Sequence, residues 1–219
     1  MCGRFTLHAP EAGILQAFDV APGAGLVPRY NITPSQAIPV VRDSGTGREL
    51  TLARWGLVPG WSKQAQPKYS TINARVESVA EKPAYRTAFK HRRCLIPADG
   101  FFEWQQAGDK KVPHYIHLPD DSVFAFAGLW EHWQGEEGSF DSCAIITLPA
   151  RGLMATIHNR MPAIIAADDY TAWLDTTLHD KREIMPLLGS SSSDQLEAYA
   201  VSSYVNSPQH TDARCIERA

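Results

Sequence analysis

Arg93-Cys94-Leu95-Ile96-Pro97-Ala98-Asp99-Gly100-Phe101-Phe102-Glu103-Trp104 is the stretch whose reading decides the fold class. Residues 94–96 form a short apolar run, Asp99-Gly100 is a turn signal, and residues 101–105 resume as a strand. Alternation in that second strand puts Phe102 and Trp104 on one face and Phe101 and Glu103 on the other. Toward the C-terminus, residues 112–118, 123–130 and 139–148 read the same way, separated by turn residues. Toward the N-terminus, residues 38–42 and 49–55 flank Asp43-Ser44-Gly45-Thr46-Gly47, a hairpin signature. Helical patterns are short: residues 10–20, with Ile14, Leu15 and Phe18 on one face, then 83–92 and 168–174. Residues 21–29 are a Gly/Pro-rich loop, 57–69 are irregular, and 190–193 form a serine tract. Few helices are long enough to connect parallel strands. The expected class is α+β, with a curved, mostly antiparallel β-sheet or barrel core and short peripheral helices. No strong linker interrupts residues 1–219, which predicts one domain.

Bulk properties narrow the function classes. The net charge is −3, so no global positive field attracts nucleic acid, and such binding has to use a local patch. Cys2, Cys94, Cys143 and Cys215 are scattered and form no C-x-x-C pair, which argues against a metal site or a disulfide framework. Neither metal nor cofactor is expected. No run approaches the ~18 apolar residues of a membrane span, and the N-terminus lacks a secretory apolar region. A soluble, cytoplasmic monomer without a membrane partner is expected.

Several residues could carry chemistry. If Met1 is removed, Cys2 presents both an α-amine and a thiol, with ordinary pKa values of roughly 7.7–8.0 and about 8.5. Such a 1,2-aminothiol condenses with an aldehyde to an imine and closes to a thiazolidine, although a second-position cysteine can equally be arbitrary. Asn73 could orient a nucleophile or cap a helix. Glu103, between aromatic residues, is a candidate for a raised pKa and for acid–base work, or an edge-strand carboxylate facing water. His158 follows an apolar stretch and is either a titrating group or a structural histidine. Lys82, Arg86, Lys90 and Arg93 fall at i, i+4, i+8 and i+11, a basic helix face that could follow phosphates or simply be solvated. Arg54, Trp55, Trp61, Lys63, Lys68, Tyr69 and Arg75 interleave aromatic and basic side chains as single-stranded nucleic acid sites do; Trp55 reads as core and Trp61 as the stacking candidate.

The order of these motifs is more specific than any of them alone. Cys2-Gly3-Arg4-Phe5, Tyr30-Asn31-Ile32-Thr33-Pro34, Arg54-Trp55-Gly56-Leu57-Val58-Pro59, Asn73-Ala74-Arg75-Val76-Glu77, the stretch from Arg93 to Trp104, Ala127-Gly128-Leu129-Trp130 and His158-Asn159-Arg160-Met161-Pro162 follow one another, with a weaker echo at Val205-Asn206. This set resembles the SRAP family, the SOS response-associated peptidases that crosslink to abasic sites in single-stranded DNA. Phe102 stands where tyrosine is common, and Leu148-Pro149 interrupts a more polar stretch. The end at residue 219 suggests a bacterial-type member without a long tail.

The resemblance implies that Cys2 is the nucleophile after Met1 removal. Asn73 would hold its amine or the opened sugar, Glu103 would move protons, and His158 would assist ring opening and crosslink reversal. Arg4, Arg75 and Arg160 would bind phosphates, with Asn31, Pro34, Trp61 and Trp104 as further DNA contacts. The implied partner is single-stranded DNA with abasic sites, including single-strand/duplex junctions. Two other functions stay open: a thiol peptidase, whose action could be confined to removal of its own Met1, and a non-covalent single-stranded DNA-binding module.

Overall fold

The structure is a computed structural model that describes residues 2–22, 25–66, 70–136, 138–189 and 195–219. In chain order the elements begin with β1 (Phe5–Leu7), α1 (Glu11–Phe18), β2 (Arg29–Ile32), β3 (Ala37–Asp43), β4 (Arg48–Trp55), β5 (Asn73–Arg75) and α2 (Arg86–His91). β6 (Arg93–Ala98), β7 (Gly100–Ala107), β8 (Lys110–His117), β9 (Phe124–Gly135) and β10 (Gly138–Pro149) follow. The chain then forms β11 (Arg160–Pro162), β12 (Ile164–Ile165), α3 (Tyr170–Leu174), α4 (Lys181–Ile184) and β13 (Glu197–Ala200), with short 3₁₀ segments between and after them.

β3, β4, β10, β9 and β6 close into a ring of five strands. All its pairings are antiparallel except β10 with β4, where Cys143 stands opposite Trp55. Closure leaves no free edge on these strands. β6 is buried along its whole length, which explains its unbroken apolar sequence: one face lines the barrel and the other is covered by α2 and α3. A second sheet runs β13-β8-β7-β1-β2, entirely antiparallel. The expected α+β class, with a mostly antiparallel barrel and short peripheral helices, is what the chain forms.

The decisive stretch does not fold back on itself. β6 belongs to the barrel and β7 to the second sheet, so Asp99-Gly100 is a passage between sheets rather than a hairpin turn. The alternation in β7 holds: Phe101 joins the barrel core, whereas Phe102 packs with Tyr115, Val201, Val205 and Cys215 under the C-terminal segment. Gly100 is required here, because a Cβ would collide with the Tyr115 phenol.

Other expectations need correction. Asn73 caps no helix; it opens β5, a short strand paired in parallel with β10. The basic face does not exist as such. Only residues 86–91 are helical, and Arg93 lies 1% exposed in β6. Its guanidinium donates to the carbonyls of Trp173, Phe89, Lys90 and Asp175, capping the C-terminal ends of α2 and α3, and burial pushes its pKa down to about 10. The short strands β1, β2 and β11–β13 carried no sequence pattern long enough to read. Met1, Lys68, Tyr69 and the 190–193 tract lie outside the described residues.

No helix among the described residues is long and apolar enough to cross a membrane.

Candidate active site

The amino-terminal strand is laid against β7, with Phe5 opposite Phe101 and Thr6 opposite Gly100. Asp99 secures it. Its buried carboxylate accepts hydrogen bonds from the Thr6 hydroxyl and from the backbone N–H groups of His8 and, at 2.7 Å, Ala9. The sequence showed Asp99 only as a turn residue, since its partners lie about ninety positions away.

That anchoring brings Cys2 to the residues singled out with it. Cys2 is 0% exposed, and the Asn73 side-chain amide donates to its carbonyl at 2.8 Å. Asn73 thus holds the Cys2 peptide carbonyl. Its Oδ1 is buried without a hydrogen-bond partner among the described residues, leaving an acceptor for an amine or a sugar hydroxyl. Burial, reinforced by the nearby Glu103 carboxylate, pushes the Cys2 thiol far above its ordinary pKa. The sulfur is therefore a neutral thiol near pH 7, not the partly ionised group suggested by reference values, and it needs a base to react.

Glu103 is 2% exposed, and burial raises its carboxyl pKa, with the His158 imidazole acting in the opposite direction. Its Oε2 lies 4.0 Å from His158 Nε2. The Arg160 backbone N–H donates to His158 Nδ1 at 3.0 Å. The same nitrogen lies 3.2 Å from the Arg160 carbonyl, so the Arg160 backbone fixes the ring with Nε2 facing Glu103. The segment bearing His158 is held to β7 by Gln105, whose amide donates to the Thr156 carbonyl at 2.8 Å. Glu103 and His158 line a cleft of about 420 Å³ together with Trp104, Lys111 and Asn206. A carboxylic acid with a raised pKa, an imidazole and a buried aminothiol precursor can together exchange protons with a carbonyl compound entering that cleft.

The other singled-out residues occupy different settings. Arg4 donates to Asn31 Oδ1 at 2.9 Å and to the carbonyls of Val205 and Asn206. Asn31 is 2% exposed and donates to the carbonyls of Val205, Ser207 and His210, so it steadies Arg4 and the C-terminal segment. Arg160 binds Glu77 with both terminal nitrogens and also reaches Thr147. Trp104 is half-buried, and its indole N–H donates to Asn206 Oδ1 at 2.8 Å. Trp61 is 69% exposed, Arg75 is exposed at the end of β5, and Trp55 is fully buried. Pro34 borders a separate cleft of about 580 Å³ with Arg54, Gly56 and Ile72. Lys111 gave no signal in the chain and Asn206 only the weak Val205-Asn206 echo; the β7–β8 register and the C-terminal segment bring them to the site.

The profile of the family described as SOS response associated peptidase, SRAP, matches residues 1–208. The chain belongs to the SRAP family. It is 40% identical to "Abasic site processing protein YoaM" of Bacillus subtilis, over 99% of this chain and 98% of that one. It is 31% identical to "Abasic site processing protein HMCES" of Gallus gallus, over 86% of this chain and 66% of that one. A crystal structure of a Bacteroides thetaiotaomicron protein superposes with a TM-score of 0.89 over the full length of both chains, at 26% identity. Of the motif residues quoted from the sequence, the structure brings Asn73, Glu103 and, through Glu103, His158 to Cys2.

Proposed function

We propose that this protein senses and shields abasic sites in single-stranded DNA, and that it does so by forming a covalent thiazolidine through Cys2 once Met1 has been removed. Abasic-site-processing relatives support the choice of DNA lesion. The observation that carries the chemistry is a buried Cys2, held by Asn73, beside a Glu103–His158 pair.

The abasic sugar is mostly a closed hemiacetal. His158 assists proton transfer as the ring opens to the aldehyde. The Cys2 amine adds to that carbonyl, and protonated Glu103 donates to the departing hydroxyl, which leaves as water. Loss of that water leaves an iminium that keeps one N–H; the resulting Glu103 carboxylate takes the thiol proton while sulfur bonds to the iminium carbon, and the C=N electron pair returns to nitrogen as the ring closes. The aldehyde is consumed, which suppresses strand cleavage by β-elimination. On this reading residues 1–219 act as one monomeric domain in the cytoplasm, on the nucleoid when DNA-bound, at single strands and single-strand/duplex junctions. Peptidase chemistry is confined to exposing Cys2, in keeping with a thiol that has a carboxylic acid rather than an imidazole as its neighbour.

Intact mass spectrometry with and without abasic single-stranded DNA tests the proposal. The expected result is a protein lacking Met1 and a heat-stable adduct smaller than the summed masses by one water. Cys2→Ser keeps the amine and should give only a reversible imine; a heat-stable adduct with that variant would refute the thiazolidine.

A further inference from the structure

The cleft beside Glu103 and His158 has a second wall. On β8, Lys111 stands opposite Gln106 and Pro113 opposite Trp104, so Lys111 shares the Trp104 face of the hairpin and lies diagonal to the indole. Lys111, Trp104 and Asn206 border the cleft together. The cations of this region differ in how far they are committed. Arg4 is tied to Asn31 and two carbonyls, and Arg160 to Glu77 and Thr147. Lys111 is exposed and has neither hydrogen bond nor ion pair among the described residues. An uncommitted ammonium next to an indole is the pairing that serves a phosphate and its neighbouring base in single-stranded nucleic acid.

We infer that Lys111 binds a backbone phosphodiester adjacent to the abasic sugar and seats the lesion over Glu103 and His158. The inference rests on the abasic-DNA reading for the identity of the polymer, but not on crosslink formation. Lys111 acts by neutralising charge and takes no part in proton transfer.

The probe is a short single-stranded oligonucleotide carrying one tetrahydrofuran residue, an abasic analogue without an aldehyde, titrated at several salt concentrations. Lys111→Ala should weaken binding about 5-fold at 0.1 M salt and flatten the log–log salt slope by about 0.7, the effect of one phosphate contact on a single strand. Lys110→Ala removes the same charge from the opposite face of the strand and should match wild type. In wild type, a methylphosphonate in place of the contacted phosphate should reproduce the loss, and Lys111→Ala should then add nothing further. An unchanged slope in Lys111→Ala, or an equal change in Lys110→Ala, overturns the assignment. So does slower crosslinking of natural abasic DNA at saturation with unaltered affinity, which would place Lys111 in the chemistry. If the Lys111-dependent slope is found but wild type never crosslinks natural abasic DNA, the phosphate contact stands and the thiazolidine reading falls.

Discussion

Glu103 is kept where its ionised form is disfavoured, and that has two measurable consequences. Glu103→Gln should slow crosslinking by roughly 10²–10⁴-fold at saturating abasic DNA while leaving affinity for the tetrahydrofuran analogue unchanged. Lost affinity with an unchanged rate would make it a DNA contact instead. The second consequence is in stability. Burial raises the folded-state pKa of Glu103 above its unfolded value, so the folded protein binds the extra proton, and this side chain makes the fold less stable as pH rises above the usual carboxylate range. Gln resembles the protonated acid without titrating. Glu103→Gln should therefore melt higher than wild type at pH 8, with the advantage vanishing near pH 4; a lower melting temperature at pH 8 would contradict it. At this scale much was legible. The aromatic run around Glu103 already pointed to desolvation. That Asn73 would meet Cys2 across 71 positions came from the family resemblance alone, because no local pattern encodes a tertiary hydrogen bond.

Between elements, the passage from β6 to β7 controls how the amino-terminal strand is seated. Tyr115 is buried and its hydroxyl lies 3.1 Å from Thr6 Oγ1, so the ring cannot swing away from Gly100. Gly100→Ala should cost about 1–3 kcal/mol, as overpacking of a filled interior does, and lower the melting temperature by roughly 2–4 °C per kcal/mol. Unaltered thermal unfolding would show that the sheet shifts freely. Strand alternation survived into the structure because each face of β7 meets a different apolar cluster. The helix pattern around residues 82–93 failed because periodicity does not distinguish a solvated arginine from one donating to buried carbonyls, as Arg93 does.

Across the molecule, the barrel is continuous with a layer that joins the two ends of the chain. Arg4 and Asn31 reach the carbonyls of residues 205–210, and Ala219 donates to the Ala200 carbonyl. The register of this layer was invisible in the sequence, since the strands involved are three or four residues long. Asn31→Ala should remove donors from the half-buried Ser207 and His210 carbonyls and from Val205, at a cost of about 2–3 kcal/mol. It should speed hydrogen exchange at residues 205–210 before the barrel strands respond. Exchange unchanged at those residues would mean the C-terminal segment is held by its apolar contacts alone.

The burial of Cys2 also bears on which reagents can reach it. All four cysteines are buried. Peroxides and alkylating electrophiles act on exposed thiolates, and here the Cys2 sulfur offers neither exposure nor charge. Oxidative stress, which itself generates abasic lesions, would then leave intact the side chain proposed to capture them.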